Sequence, residues 1–223
     1  MKKNKKLFED GEANQYFLRN VSHRETMFQT KNDAEIEILS NWLLPHKDNI
    51  NSICEIGCSG GHRLQHLVNE LEADGYGLDP SKSAIEYMGQ NYPKLEAEVG
   101  FGDNVPFSGV FDLVHLGFFL YLVDRDLYLK NISEADRIVK FGGFLSILDF
   151  DVPTPYSNQY KHKDGGFSHK INNSNVFVAS GLYTVVNKFS FDLSEFNNPK
   201  FTSVIDNRVS MTLLYKEKDV FKI

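Results

Sequence analysis

The segment from Ile53 to His62, ICEIGCSGGH, combines an apolar run with three glycines and one carboxylate. Glycine has no Cβ, so Gly57, Gly60 and Gly61 permit a tight turn and let the backbone approach a ligand closely. A second carboxylate, Asp79, follows Gly57 by 22 residues and ends the next apolar run. A carboxylate placed there can accept hydrogen bonds from both hydroxyls of a ribose. The two segments together predict a site for a ligand that contains a nucleoside.

The glycine spacing differs from that of loops that bind dinucleotides. The pattern G-x-G-x-x-G, counted from Gly57, requires glycine at two positions that Ser59 and His62 occupy. The carboxylate of Glu55 would also repel a pyrophosphate, whereas it suits a ligand with a cationic end. Adenosine joined to the ammonium and sulfonium groups of methionine would satisfy both Glu55 and Asp79.

Hydrophobic periodicity predicts the elements that position these residues. The predicted helices cover residues 33–44, 61–71, 81–88 and 124–140, the last being the longest, with a short helical patch at 174–179. The predicted strands cover residues 50–56, 75–78, 96–99, 110–116, 144–148, 182–191 and 208–216. Asn32 or Asp33 can cap the first helix, and Gly142 and Gly143 would end the longest one. Strands that alternate with helices favour an α/β fold with a doubly wound, mostly parallel seven-stranded sheet and an antiparallel C-terminal hairpin.

Five segments in order resemble the motifs of the class I S-adenosylmethionine (SAM)-dependent methyltransferases of small-molecule type, which have a Rossmann-like fold. The segment Glu55-x-Gly57-x-Ser59-x-Gly61 is similar to motif I, with serine in place of the middle glycine. GYGLD, ending at Asp79, is similar to motif II. Residues 99–107 (VGFGDNVPF), 111–115 (FDLVH) and 141–146 (FGGFLS) resemble motif III, motif IV and the segment before strand five. The resemblance covers residues 33–150. It implies methyl transfer from SAM, with S-adenosylhomocysteine (SAH) as product, in one domain over residues 33–223.

The resemblance also assigns cofactor-binding residues. They are Glu55, Gly57, Cys58, Ser59, Gly61, Asp79, Pro80, Phe101, Gly102, Asp103 and His115. Many members of the family have an Asp-Ala pair after the Val-Gly of motif III, and its Asp contacts the adenine amino group. Phe101 and Gly102 occupy those positions here, and Asp103 falls two places later. Either Asp103 or the backbone at the two preceding residues would therefore meet the adenine.

The candidate catalytic residues are His115, Tyr121, His162 and His169, and the loop after the fifth strand adds Asp149, Asp151 and Tyr160. His115 ends the fourth strand, where the family places residues that face the acceptor, and a histidine there can act as general base. A satisfied, half-buried histidine is the structural alternative. His162 and His169 flank the turn-forming sequence KDGG and could equally be surface residues of a hairpin without a catalytic role.

Composition limits the partners. The chain carries 24 basic and 30 acidic residues, a net charge of −6, which disfavours nucleic acid as a ligand. No apolar run approaches the length needed to cross a bilayer, so a membrane is not an expected partner. The two cysteines, Cys54 and Cys58, can build neither a disulfide framework nor a zinc site, which favours a reducing, cytoplasmic setting without a bound metal.

Two segments are candidates for covering the substrate. Residues 1–32 begin with four lysines in six positions and predict a disordered tail, of which Tyr16 and Arg19 could form part of a lid. The loop over residues 151–173 is rich in Tyr, Asn, Lys and His and favours a small polar acceptor, such as a sugar or sugar-like metabolite, methylated on oxygen or nitrogen. The alternatives are a non-catalytic SAM-binding protein and, on the same kind of sheet, an NAD(P)-dependent reductase. The oligomeric state stays open.

Overall fold

A seven-stranded sheet carries the elements predicted to hold the ligand. The computed structural model describes residues 4–30, 33–195 and 198–218. The sheet strands are β1 (Ser52–Ile56), β2 (Asp74–Asp79), β3 (Glu96–Val99), β4 (Phe111–Gly117), β5 (Val139–Phe150), β8 (Tyr183–Asp192) and β9 (Arg208–Lys216). Their order is β3-β2-β1-β4-β5-β9-β8. Strands β1 to β5 pair in parallel, and β9 is antiparallel to both β5 and β8. The predicted fold class is confirmed.

Seven α-helices accompany the sheet in the described part of the chain. They are α1 (Asn4–Leu7), α2 (Ala13–Thr30), α3 (Ala34–Leu43), α4 (His62–Leu71), α5 (Lys82–Asn91), α6 (Tyr128–Ile138) and α7 (Ser174–Ala179). Helices α3, α4 and α5 pack on one face of the sheet, and α6 and α7 pack on the other. Because both faces are covered, all seven residues of β4 are buried. No helix among these residues has the length and apolar composition to cross a membrane.

Asp33 fulfils its predicted role as the cap of α3. Its carboxylate accepts from the backbone N–H of Glu35 at 3.2 Å, which satisfies a donor that has no partner within the helix. The other candidate cap, Asn32, lies outside the described residues.

The N-terminal region differs from the sequence expectation. The lysine-rich start was expected to be disordered, but Asn4 to Lys6 belong to α1, and Asn4 is 3% exposed. A π-helical turn over Phe8–Glu12, in which Gly11 has φ of +117°, joins α1 to α2. Helix α2 has 18 residues and is longer than α6, which was expected to be the longest and has 11.

The glycine pair Gly142-Gly143 also has a different role from the expected one. Both residues lie within β5, which begins directly after α6. A Cβ on Gly143 would lie 2.8 Å from the carbonyl oxygen of Asp112 in β4. The glycine therefore permits close approach of the two strands, and α6 ends before it.

The predicted loop over residues 151–173 contains a separate hairpin. Its strands are β6 (Tyr156–Gln159) and β7 (Phe167–Lys170), which pair antiparallel. The side chain of Asn4 accepts from the Phe167 N–H at 2.9 Å and donates to the Phe167 carbonyl at 2.6 Å. The hairpin thus holds the first helix against the body of the domain.

Candidate cofactor and acceptor site

A cavity of about 1050 Å³, including its open mouth, lies at the carboxyl ends of β1, β2 and β4. This is where open α/β sheets bind ligands. On the sheet side it is lined by Ile56, Gly57, Ser59, Arg63, Leu78, Asp79, Pro80, Gly100, Phe101, Gly102, Asp103, Gly117, Phe118 and Phe119. Most of the residues that the sequence assigns to the cofactor therefore meet in one place.

The loop after β1 is held in shape by β2. Gly57 has φ of +80°, in the left-handed region that glycine adopts without strain. Ser59 lies in the same region, with φ of +49°, although it has a Cβ. The carbonyl of Leu78 accepts from the backbone N–H of Gly57 at 2.8 Å and of Cys58 at 3.2 Å. A Cβ on Gly61, where φ is +79°, would come within 2.8 Å of the Met88 side chain. The loop therefore keeps its backbone close to the cavity, while Cys58 itself is buried beneath it.

Asp79 lines the cavity at the end of β2. Its two carboxylate oxygens accept from the backbone N–H groups of Ser59 and Ser81, each at 2.8 Å. Burial raises the pKa of Asp79 to about 6, against the opposing effect of these two hydrogen bonds. The carboxylate is thus oriented by backbone donors and keeps acceptor capacity for hydroxyls in the cavity.

The loop after β3 forms another wall. A Cβ on Gly102 would lie 2.7 Å from the Asn131 side chain, so the backbone approaches α6 closely at that point. Asp103 is 4% exposed, and both of its carboxylate oxygens accept from Lys5 Nζ, at 2.7 and 2.9 Å. Lys5 Nζ also lies 5.0 Å from the centre of the Phe101 ring. The carboxylate that the sequence offers to adenine is already paired with the N-terminal segment.

Glu55 lies beneath the cavity and does not line it. Its side chain is fully buried, and Oε1 is 2.9 Å from Arg63 Nε and 2.8 Å from the Nη2 atom. Arg63 also donates to Glu35 Oε2 at 3.1 Å and to the carbonyl of Gly117 at 3.0 Å. Burial raises the pKa of Glu55, and the Arg63 guanidinium opposes that effect. The carboxylate expected to meet the cationic end of the ligand instead pairs with Arg63, which does line the cavity.

Residues 4–30, which we call the N-terminal cover, close the cavity from above. They contribute Asn4, Lys5, Phe8, Ala13, Tyr16, Asn20 and Arg24 to its lining. Tyr16 thus lies where the lid hypothesis placed it, whereas Arg19 is not among the lining residues and pairs with Glu12 at 2.5 Å.

Hydrogen bonds along its whole length hold the N-terminal cover in place. At its start, the backbone N–H groups of Asn4 and Lys5 donate to the two oxygens of Asp124, at 2.9 and 3.0 Å. Further along, the Asn14 side chain accepts from the Ser81 hydroxyl at 2.9 Å. Near its end, Tyr87 donates to Glu25 at 2.5 Å. The first two contacts reach the loops that follow β4 and β2, and the third reaches α5, so the cover is tied to elements next to the cavity.

The structure does not bring His115 to the cavity. The residue lies within β4 opposite Glu55 of β1, and its side chain is 1% exposed. Its Nδ1 is 2.7 Å from the hydroxyl of Ser146. Burial lowers the pKa of His115 well below its ordinary value, so the ring stays neutral within the sheet. This geometry gives His115 a structural place and does not support its assignment as general base or as a cofactor contact.

The other candidate catalytic residues also lie outside the lining of the cavity. Tyr121 is 8% exposed and packs between Phe118 and Phe150, with ring centres 4.8 and 5.4 Å apart. His162 is exposed in the turn between β6 and β7, and His169 Nδ1 lies 2.7 Å from the Ser157 hydroxyl.

The loop residues after β5 have structural partners as well. Asp149 accepts from the backbone N–H groups of Tyr121 and Phe150, at 3.2 and 2.7 Å. Asp151 forms an ion pair with Lys188 at 2.8 Å. Tyr160 donates to Glu12 at 3.2 Å. No described residue of the segment 151–173 lines the cavity, so the segment supports the N-terminal cover from outside.

Sequence reasoning missed three cavity cations: Lys5, Arg24 and Arg63. Lys5 and Arg24 lie in segments without clear periodicity, and their roles depend on how the N-terminal cover folds back. Arg63 had a weak signal, because it follows the glycine-rich loop at the start of a helix whose other face is apolar. Within the described residues, no group of three or more His, Cys, Asp or Glu side chains could hold a metal ion.

Comparison with known proteins agrees with this geometry. The sequence family described as "Methyltransferase domain" matches residues 53–143, which run from β1 into β5. No curated protein sequence matched the chain significantly.

Several solved structures share the fold at low sequence identity. The N-methyltransferase NodS from Bradyrhizobium japonicum WM9, in complex with SAH, is 15% identical, with 92% of this chain and 98% of that chain covered and a TM-score of 0.62. The 1,6-didemethyltoxoflavin-N1-methyltransferase of Burkholderia thailandensis, with its namesake compound and SAH bound, is 10% identical, with 92% and 89% covered and a TM-score of 0.64. A TehB-like SAM-dependent methyltransferase from Corynebacterium glutamicum is 15% identical, with 92% and 99% covered and a TM-score of 0.62. The chain thus matches a methyltransferase domain over residues 53–143 and shares its fold with these methyltransferases.

Proposed function

We propose that the chain methylates a small acceptor that enters the cavity between α2 and the end of β4. The supporting observation is that a single cavity continues from the glycine-rich loop to a second set of side chains. These are Phe8, Tyr16, Asn20, Phe118, Leu122 and Val123. A cavity that extends beyond the cofactor residues offers further side chains that a second reactant can contact.

The residues present fit the adenosyl part of SAM. Asp79 offers oriented acceptors to the ribose hydroxyls, and the backbone at Gly57 approaches without a Cβ. Phe101 and Gly102 lie in the adenine-side wall. When bound, SAM would supply a methyl carbon activated by its sulfonium: the acceptor would form the new bond to that carbon as the carbon–sulfur bond breaks, with SAH as the leaving group. The protein then has to orient donor and acceptor and exclude water, and orientation alone can contribute about 7–11 kcal/mol.

The titratable side chains around the cavity favour an amine acceptor over a hydroxyl. Among the described residues no histidine lines it, and Asp103 and Asp124 are both engaged by the N-terminal cover. A hydroxyl acceptor needs a base to take its proton, whereas a neutral amine attacks first and loses its proton afterwards. Two of the similar structures are N-methyltransferases by name and one is an O-methyltransferase family protein, so the choice depends on the side chains of the cavity.

The lining also favours an acceptor with an apolar body. The expectation of a sugar-like acceptor drew its support from the polar segment 151–173, and that segment does not line the cavity. Aromatic and aliphatic side chains dominate the acceptor side, with Tyr16 and Asn20 as polar groups. We therefore propose a small amine with an aromatic or aliphatic body. We also propose that nucleic acid is not a partner, because the chain carries a net charge of −6. The two cysteines favour a reducing, cytoplasmic setting.

Two measurements test this function. First, SAH and SAM should raise the melting temperature by roughly 5–10 °C at about 100 times their dissociation constants, and NAD and NADP should not. Second, transfer of labelled methyl from SAM should be detected with members of a panel of aromatic and aliphatic amines and not with matched alcohols and sugars. Stabilisation by a dinucleotide alone would overturn the assignment of the cofactor. Transfer to sugars alone would overturn the assignment of the acceptor.

A further inference from the structure

Three cationic side chains line the cavity in the described part of the chain: Lys5, Arg24 and Arg63. Two of them are committed. Lys5 binds both oxygens of Asp103. Arg63 uses its Nε and both terminal nitrogens on Glu55, Glu35 and the Gly117 carbonyl. Neither is therefore free to receive an anionic group without giving up a buried partner.

Arg24 is held much more loosely. Its Nη1 lies 3.5 Å from Glu35 Oε2 and 3.8 Å from Asp33 Oδ2, beyond ordinary charge-assisted hydrogen-bond distance. Those contacts use one end of a guanidinium that carries five N–H donors. The side chain is 24% exposed. Arg24 therefore has donors left over in a position that lines the cavity.

Contacts of the N-terminal cover fix the order in which its residues follow the cavity. Lys5 pairs with Asp103 on the adenine side, and Asn14 accepts from Ser81 beside the ribose carboxylate Asp79. Arg24 shares Glu35 with Arg63. From Lys5 to Arg24, the cover would therefore face first the adenine, then the ribose and finally the α-amino acid end of SAM.

On the sheet side, Arg63 lies at the same end of the cavity as Arg24. Its guanidinium binds the Gly117 carbonyl, and a Cβ on Gly117 would lie 3.1 Å from the carbonyl oxygen of Gly57. The glycine-rich loop and the end of β4 therefore meet next to the Arg24–Glu35–Arg63 cluster.

Resting on the proposed function, we infer that Arg24 of the N-terminal cover binds the carboxylate of the methionine end of SAM. The motif I carboxylate, Glu55, already pairs with Arg63 within the fold and is not available to the ligand. Arg24 of the cover would therefore bind the charged end of SAM in its place. The cluster still holds one more carboxylate than guanidinium, counting Asp33, Glu35 and Glu55 against Arg24 and Arg63. This residual negative charge suits the ammonium group next to that carboxylate.

Isothermal titration of the full chain with two ligands tests the inference. One is SAH, and the other is S-adenosyl-3-thiopropylamine, which is SAH without its carboxylate. Arg24→Gln should weaken SAH binding by about 10- to 100-fold and leave the binding of the thiopropylamine within about twofold. Arg24→Lys, which keeps the charge but not the planar fork, should recover part of the SAH affinity. His23→Gln, at an exposed position of the same helix, is the control and should change the binding of neither ligand.

The outcomes separate this inference from the proposed function. Equal weakening of both ligands by Arg24→Gln would show that Arg24 acts only on the cover, and would overturn the inference. Unchanged SAH binding would overturn it too. Failure of the unaltered protein to bind either ligand would instead remove the cofactor assignment on which the inference stands.

Discussion

Lys5 and Asp103 form an ion pair that joins the N-terminal cover to the loop after β3. Lys5 Nζ lies 2.7 Å from Oδ2 and 2.9 Å from Oδ1 of the carboxylate. The two residues are 98 positions apart in the chain, and Asp103 is 4% exposed. A carboxylate this buried depends on its partner, so the pair holds the cover against the cavity wall that the loop after β3 forms.

Replacing Lys5 with methionine should loosen the N-terminal cover. The Lys5→Met change leaves Asp103 buried without its cation, so we expect the free energy of unfolding to fall by about 1–3 kcal/mol. Affinity for SAH should fall with it. Urea denaturation and isothermal titration measure the two effects. Adding Asp103→Asn should restore part of the lost stability, and a double-mutant cycle without coupling would mean that the pair contributes nothing.

Cofactor affinity should depend on pH through Asp79. Burial raises the pKa of its carboxyl to about 6, and ribose hydroxyls donate to the ionised form. Affinity for SAH should therefore be complete well above pH 6 and fall as the pH decreases through that value. Asp79→Asn should weaken binding by about 10-fold or more and flatten the pH profile. Asp74→Asn, at the exposed start of the same strand, is the matched control; a flat profile in the unaltered protein would contradict the assignment.

Removing Arg63 should be among the most damaging single changes. Arg63→Met leaves Glu55 and Glu35 buried without a hydrogen-bonded cation, which costs about 3–5 kcal/mol. Burial already raises the pKa of Glu55, and without Arg63 it rises further. The deficit measured by urea denaturation should therefore shrink as the pH falls from 7 to 5, because protonation removes the buried charge. A deficit that is constant over this range would mean that packing, and not charge, is lost.

The sheet can be predicted from the sequence because its strands are short, apolar and separated by glycine, proline and other turn-forming residues. The bounds expected for β3 and β9 coincide with the observed ones. Helix α2 was not predicted, since it buries only Ala13, Phe17 and Met27 of its 18 residues, too few for a visible period.

Part of the site follows from local sequence and part does not. The shape of the glycine-rich loop and the place of Asp79 depend on adjacent residues and on the strand that each one follows. The partner of Glu55 depends on where Arg63, Glu35 and Gly117 meet, on three different elements. The same holds for His115, because nothing in its own segment shows that β5 places Ser146 beside it. Pairings of this kind are tertiary, so residue type and spacing alone cannot determine them.

His115 should behave as a structural residue. Its Nδ1 lies 2.7 Å from the Ser146 hydroxyl inside the sheet, so His115→Gln should lower the free energy of unfolding by about 1–2 kcal/mol and leave SAH affinity unchanged. Ser146→Ala is the matched variant, and the double variant should lose less than the sum of the two single losses. A fall in SAH affinity at unchanged stability would instead place His115 in contact with the ligand.

Gly117 is where β4, the glycine-rich loop and the buried ion pair come together. A Cβ there would meet the Arg63 guanidinium, lie 2.6 Å from Glu55 Oε1 and lie 3.1 Å from the Gly57 carbonyl. Gly117→Ala should therefore cost about 3 kcal/mol and weaken SAH binding, because the ion pair and the loop cannot both keep their positions. Gly109→Ala, where a Cβ would meet nothing within 4 Å, should change stability by no more than about 0.5 kcal/mol. Equal effects of the two substitutions in urea denaturation would show that β4 and the loop have room to separate, and that the close approach at Gly117 is not needed for the site.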